Sequence, residues 1–429
     1  LLQNEESFMA IAPPSDQASN QVRWLQVWGL ASVQGAMSLT WIAYGIYLPK
    51  FIEQVFGYPT SQAQQLTALI LVIESAIGVI VEPLFGGLSD RWQRWYSSRM
   101  PFIVAAAIAA TAFFIGLPCV VIFGGSSEIT RVLLISLAIL WAIVMTTFRS
   151  PVMCLLGIFA GATKLPLAGS VLTLVGGLVG SIRPLATKFI VGLGAPVTFT
   201  IASIVLLASV ASLRSAMIYI PKNLNPDLEK NEPLPIRECW RNLAIVMLVG
   251  AAIGLGIRLL MGGVLPRTIR ADITGFTGLS FEVLMGSVFI AQGLVALLTG
   301  RISKLIDNKR FMIVSLGGIA AGLGFLSFGY GAIAAIISIL FMLTCLSAVN
   351  NGMIAFALTM VPKSLSGLTV GTFFGGLSGA IAIFGYLVPK PAEDMLSTAN
   401  VIVLTAISFL IAGVGIALGE RITGKVTTD

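Results

Sequence analysis

Gly86-Gly-Leu-Ser-Asp-Arg-Trp-Gln-Arg-Trp-Tyr-Ser-Ser-Arg-Met-Pro-Phe102 sets one aspartate and three arginines between two strongly apolar runs. Each flanking run is long enough to cross ~30 Å of hydrocarbon, which takes about 20 residues at a rise of ~1.5 Å. The charged stretch therefore reads as a cytoplasmic hinge between two transmembrane helices. Working outward in both directions, apolar runs recur along the whole chain, at 24–51, 64–88, 101–123, 131–160, 165–190, 196–220, 241–265, 281–305, 311–330, 333–361, 365–388 and 399–419. The fold class this predicts is an all-α polytopic membrane protein with twelve transmembrane helices, since only helices satisfy every backbone group where lipid offers no partner.

Composition agrees. The 429 residues are 56% hydrophobic and only 10% charged, with 45 glycines and no histidine, where soluble domains carry about 25% charge. A net charge of +7 does not point to nucleic acid, because the basic residues fall in short bursts between apolar runs. Sixteen of the 26 basic residues fall on the side of the termini and even-numbered loops. Five (Lys50, Arg131, Arg267, Arg270 and Lys390) fall on the other side, and five lie inside helices. By the positive-inside rule both termini are cytoplasmic, in a plasma or inner membrane. Residues 1–23 read as an N-terminal tail, 24–220 as one six-helix bundle, 221–240 as a charged linker, 241–420 as a second bundle and 421–429 as a C-terminal tail. Cys119, Cys154, Cys239 and Cys345 are far apart and form no Cys-x-x-Cys pair, so neither a disulfide framework nor a zinc site is expected.

The two halves read as copies. Moving Lys164–Ile182 onto Lys363–Ile381 without a gap gives identities at Lys164/Lys363, Val171/Val370, Thr173/Thr372, Gly176/Gly375, Gly177/Gly376, Leu178/Leu377, Gly180/Gly379 and Ile182/Ile381. This equates the fifth span with the eleventh, as a parallel six-plus-six repeat requires. The Gly-x-x-x-Gly steps at Gly176/Gly180 and Gly375/Gly379 allow close helix contact at matched positions. A fainter echo of the opening stretch, Gly300-Arg-Ile-Ser-Lys-Leu-Ile-Asp-Asn-Lys-Arg310, follows the eighth span.

On these residues the chain resembles the major facilitator superfamily, whose signature in this loop is Gly-x-x-x-Asp-Arg followed by further basic residues; Gly86, Asp90, Arg91 and Arg94 fit it. Within the superfamily, Ser89-Asp90-Arg91 followed by Arg99-Met100-Pro101-Phe102-Ile103 is similar to the sucrose and glycoside-pentoside-hexuronide cation symporter branch. The resemblance implies the major facilitator fold, with two pseudo-symmetric six-helix bundles, and cation-coupled sugar transport. One departure counts against the branch. Its fourth span often carries an arginine followed five residues later by a proton-coupling aspartate, and here Arg149 is followed at that spacing by Cys154. A thiol cannot shuttle protons near neutral pH as a carboxylate can.

Glu74 is a replacement on physical grounds. It lies about eleven residues into the second span, ~16 Å deep and close to the bilayer midplane. A carboxylate there must be protonated, paired or facing water. It reads as a coupling site, or else as a permanent partner of an arginine pinning two helices. Glu82, before Pro83, reads as gate or interface structure. Arg149, two residues before a proline kink, is a substrate or relay candidate, and Arg258 an outer gate or anion clamp. Gln34, Trp41, Gln292, Asn350 and Asn351 place amide and indole donors at membrane depth, compatible with a neutral polyol and equally with helix–helix hydrogen bonding. Gly86, Asp90, Arg91, Arg94 and Arg99 form the expected cytoplasmic gate. The alternative for the arginines is topology alone.

The expected function is secondary active transport of a small solute, a sugar or glycoside by the resemblance, through alternating access with proton or sodium coupling. Two alternatives remain open: transport of an amphipathic lipid- or drug-like substrate, and a non-transport pigment or assembly factor on the same scaffold. No nucleophile–base constellation, metal-ligand cluster or P-loop is readable, so neither an enzyme nor an ATP-driven pump is expected, nor any cofactor beyond a coupling ion. The expected partners are the bilayer and a small-molecule substrate, with no nucleic acid, and the expected state is a monomer.

Overall fold

The structure, a computed structural model, describes residues 21–96, 98–218, 236–329, 331–388 and 396–426. Residues 221–235 of the expected linker lie outside this set, as do 1–20 and 427–429 of the tails. The chain is all-α. Its principal helices are α1 (Trp24–Phe56), α2 (Thr60–Tyr96), α3 (Met100–Gly124), α4 (Glu128–Cys154), α5 (Leu165–Gly180), α6 (Ile182–Leu193) and α7 (Ala195–Met217). After the linker come α8 (Ile236–Leu259), α9 (Phe281–Ile302), α10 (Asn308–Leu326), α11 (Ala332–Thr359), α12 (Ser366–Leu387) and α13 (Thr398–Val426). Among the described residues, eleven helical segments are long and apolar enough to cross a membrane. The 33-residue α1 is long enough as well, but its polar positions keep it outside that set.

Helix ends follow local chemistry. Gly57 closes α1 with φ +70° and returns its N–H to the Glu53 carbonyl, a conformation that costs glycine nothing. Ser127, Ser280 and Asp307 cap α4, α9 and α10 by accepting from the N–H three residues on, which satisfies an otherwise orphaned donor. Three expectations need correction. The Gly86–Phe102 stretch is mostly helix rather than hinge: α2 runs on to Tyr96 and α3 begins at Met100. Arginine, glutamine and tryptophan sustain a helix, and nothing between Leu88 and Tyr96 breaks it. The fifth span divides at Ser181 into α5 and α6, because Pro184 has no N–H to give the Gly180 carbonyl. The seventh does not stop at 265: α8 continues as a helical run through π-helical turns at Leu260–Val264 and Ile269–Ile273 to Thr277, so Arg267 and Arg270 are on helix.

Helices before the linker pack on one another, α1 against α5 and α7, α2 against α4, and α3 against α4 and α7. Those after it do likewise, α8 against α12 and α13, α9 against α11, and α10 against α11 and α13. Across the linker the principal contacts are α2 with α12, α5 with α9, and α5 with α11. The matched sequences enter their helices in the same way, through 3₁₀ turns at Ala162–Lys164 and Lys363–Leu365.

The seams between these pairs depend on missing side chains. A Cβ on Gly86 would strike the Gly367 backbone, and one on Gly177 would lie 2.9 Å from the Gly293 Cα. The Gly-x-x-x-Gly reading of α5 shifts by one residue: Gly177 and Gly180 meet α9, whereas a Cβ on Gly176 would meet nothing within 4 Å.

Candidate functional site

The buried positions of α2 are Ala63, Thr67, Ile70, Glu74, Gly78, Glu82, Gly86, Ser89 and Asp90. They recur at three- and four-residue steps, one face of a helix. Three carboxylates stand on that face at eight-residue intervals, ~12 Å apart along the axis. Each has a different partner.

At the end of α2, Asp90 is 3% exposed. Its Oδ1 accepts from the Gly367 N–H at 2.8 Å and its Oδ2 from the Leu368 N–H at 2.9 Å. A carboxylate from one half of the chain thus caps α12 in the other, where the first N–H groups have no intrahelical acceptor and the helix dipole favours negative charge. Arg99 Nη2 donates to Asp90 Oδ1 at 2.5 Å and to Ser366 Oγ at 2.9 Å, and its Nε donates to Gln93 Oε1 at 2.6 Å. From α4, Ser150 Oγ donates to the Gly367 carbonyl at 2.9 Å and Cys154 Sγ to the Ser366 carbonyl at 3.3 Å. Of the expected gate residues, Gly86, Asp90 and Arg99 come together here. Arg91 and Arg94 do not; both are exposed. The echo after the eighth span lacks this cap. Ser89 and Ser303 each donate to the carbonyl three residues back, Gly86 and Gly300, but the next residue is Asp90 in one case and exposed Lys304 in the other.

Two turns further along α2, Glu82 is fully buried. Its Oε1 accepts from Ser378 Oγ of α12 at 3.2 Å and lies 3.5 Å from Arg149 Nη1 of α4. The Arg149 guanidinium carbon sits 3.9 Å from the centroid of the Phe374 ring of α12, a cation–π contact between halves. Glu82 reads from the sequence as gate or interface structure without a partner; Phe374 and Ser378 were not among the expected site residues. The eight-residue carboxylate spacing was the signal available for Glu82.

Glu74, two turns further still, is not paired with an arginine. Tyr44 of α1 donates its hydroxyl to Glu74 Oε1, while Oε2 is buried without a hydrogen-bond partner. Tyr44 is part of an aromatic group in which ring centroids lie 4.4 Å from Trp141, with Trp41 a further 4.8 Å from Trp141 and Phe114 5.1 Å from it. Gln34, Ser38 and Trp41 are half-buried along α1, spaced to share one face.

The remaining candidates are dispersed. Arg258 of α8 lies over Phe384 at 5.5 Å. Asn351 is committed to packing: its Nδ2 donates to the Ala296 carbonyl at 2.8 Å and to Thr299 Oγ1 at 3.0 Å, tying α11 to α9. Gln292 is buried on the same interface, its backbone carbonyl accepting from Ser347 Oγ at 2.8 Å. Asn350 is half-buried, with Oδ1 lacking a hydrogen-bond partner. Among the described residues no group of three or more His, Cys, Asp or Glu side chains is placed to hold a metal ion.

The chain is an all-α, many-span membrane protein with glycine-lined seams and a carboxylate cap between its halves, and solved structures agree on the fold. No protein-family model and no curated protein matches the sequence. A bacterial homologue of the iron transporter ferroportin, in an outward-facing state with soaked iron, is similar over 93% of this chain and 99% of its own, at 16% identity and a TM-score of 0.64. The human organic anion transporter MFSD10 is similar over 95% of this chain and 99% of its own, at 12% identity and a TM-score of 0.63. At such identities the likeness is one of fold, and that fold is shared with known transporters.

Proposed function

We propose that the chain is a secondary active transporter that moves a small solute by alternating access between two six-helix bundles, 24–220 and 241–420, with α1 supplying the twelfth span. The observation that carries this reading is the Asp90 cap on α12. It joins the halves at one end through a carboxylate, two backbone N–H groups and Arg99, all of which water can satisfy once the halves part. Contacts that are exchangeable with water suit a gate, and typical coupling energies are only about 1–3 kcal/mol. The charge distribution favours a cytoplasmic position for that end.

Sugar transport, the activity implied by residues 89–103, has less support at the residue where that branch is expected to couple protons. Cys154 fills that position and here donates to the Ser366 carbonyl at the closed end. Coupling in this chain is then a matter for the α2 carboxylates. The test is reconstitution into liposomes with an imposed proton or sodium gradient and a panel of labelled neutral and anionic solutes. Gradient-driven accumulation of at least one solute, lost in Asp90→Asn, is expected. Absence of flux for every solute in intact, correctly inserted protein overturns the reading.

A further inference from the structure

Arg149 is the intramembrane cation whose surroundings point to a ligand. It carries five N–H donors that cannot be neutralised by losing a proton, yet no described group accepts a hydrogen bond from it. Among the described residues its one ion-pair partner is Glu82 Oε1, at 3.5 Å, beyond hydrogen-bond length. The side chain is 27% exposed although Glu82 is fully buried, so the donors are reachable from open space while the carboxylate is not. Phe374 holds the flat guanidinium from the opposite half, leaving its edge available. On the Glu82 side, Oε2 is buried and has no hydrogen-bond partner. An arginine with open donors beside a carboxylate that holds it loosely is an exchangeable pair.

Resting on the transporter reading above, we propose that Arg149 anchors the oxyanion group of the transported solute, a carboxylate or phosphate-type anion. As the anion takes Arg149, Glu82 gives it up and accepts one proton from the aqueous phase that delivered the solute. The argument is charge balance. The pair is neutral with Arg149 positive and Glu82 negative. For an anion bound in its singly charged form, adding the anion alone leaves one uncompensated negative charge in a low-dielectric seam, which is strongly disfavoured. Adding an anion and a proton restores neutrality, with a carboxylic acid at Glu82 and the solute anion on the guanidinium. Among the described residues Arg149 of α4 is the charged group paired with Glu82, and α12 presents Ser378 and Phe374 to the pair. On α2 itself Glu74 and Asp90 are each eight residues away, ~12 Å along the axis. One proton then moves with each anion, and release of the anion returns Arg149 to Glu82 and frees the proton.

The test is calorimetric titration of the full chain in detergent with inorganic phosphate, sulfate and benzoate, with benzamide as the neutral analogue of benzoate. Each titration is made in two buffers of different ionisation enthalpy, so that protons taken up are counted. At least one anion should bind with uptake of about one proton, and benzamide should not bind. Glu82→Gln should bind the anion at least as tightly with no proton uptake; Arg149→Lys should weaken it at least tenfold and Arg149→Gln abolish it. Phe374→Leu, which leaves the ion pair in place, should weaken binding several-fold and covers the case in which the arginine variants fail to fold. Failure of all three anions to bind, unchanged binding in Arg149→Gln, or equal proton uptake in Glu82→Gln overturns the proposal. Flux of a neutral solute without anion binding would refute only this inference. Anion binding without flux of any solute would refute the transporter reading and leave the site standing.

Discussion

Replacing Asp90 by asparagine should open the end of the molecule where α2 meets α12, and Cys154 is a native reporter of that opening. The carboxylate accepts from two backbone N–H groups of α12, at 2.8 and 2.9 Å. Asparagine keeps one acceptor oxygen and presents an NH₂ where the second stood. One charge-assisted hydrogen bond is lost, worth about 1.5–3 kcal/mol, together with about 0.3–1 kcal/mol of charge–dipole interaction at the α12 N-terminus. The Arg99 pair contributes little to the difference, because Asp90 and Arg99 lie on consecutive helices of one half and stay together when the halves separate. The closed arrangement should therefore weaken by about 2–4 kcal/mol, a roughly 30- to 1,000-fold gain in the open population. Cys154 is 3% exposed, with its thiol on the Ser366 carbonyl, and can react only when that contact parts. With Cys119, Cys239 and Cys345 replaced by serine, the rate of alkylation in detergent should rise by a factor in that range in Asp90→Asn. A change of less than threefold, in protein that remains monodisperse, would refute the cap as the closing contact.

Gly367→Ala should open the same end with every charge intact, since the new Cβ would meet the Gly86 carbonyl and lie 2.6 Å from Asp90 Oδ1; unchanged Cys154 alkylation would show that the close backbone approach does not matter. Tyr44→Phe removes the hydroxyl that donates to Glu74 and should cost about 1–3 kcal/mol of stability by thermal unfolding. Adding Glu74→Gln should recover part of it, and strictly additive losses would show that the two side chains are not coupled. Asn351→Ala breaks two hydrogen bonds to α9 and should cost about 1–2 kcal/mol without altering Cys154 alkylation; a large rise in alkylation would place Asn351 in the gate.

Residues 86–102 show how far sequence reasoning reached and where it stopped. That they join two long apolar helices was legible from charge set between apolar runs. Where the helix ends was not, because arginine and tryptophan are as acceptable on a helix as in a short cytoplasmic loop. Arg91, Arg94 and Arg99 look alike in sequence. Among the described residues Arg99, just before α3, is the one that pairs with Asp90 at the end of α2, while the other two are exposed. Glu74 is buried among the helices, yet its partner is a tyrosine of α1, and no local pattern connects residues 44 and 74.

What the sequence determined by itself is whatever depends on one segment at a time. Hydrophobic length made the helices, since lipid leaves the backbone no other way to satisfy its hydrogen bonds, and the matched glycines marked two related segments. What the tertiary structure decided is which of those helices lie side by side. The meeting of Asp90 with the α12 N-terminus, of Arg149 with Glu82 and Phe374, and of Glu82 with Ser378 joins residues 67 to 296 positions apart. In a bilayer the apolar driving force acts between chain and lipid and is nearly indifferent to which helix is the neighbour. Neighbours are chosen by close glycine approach and by a few buried polar contacts, and those acquire meaning only when both partners are in place.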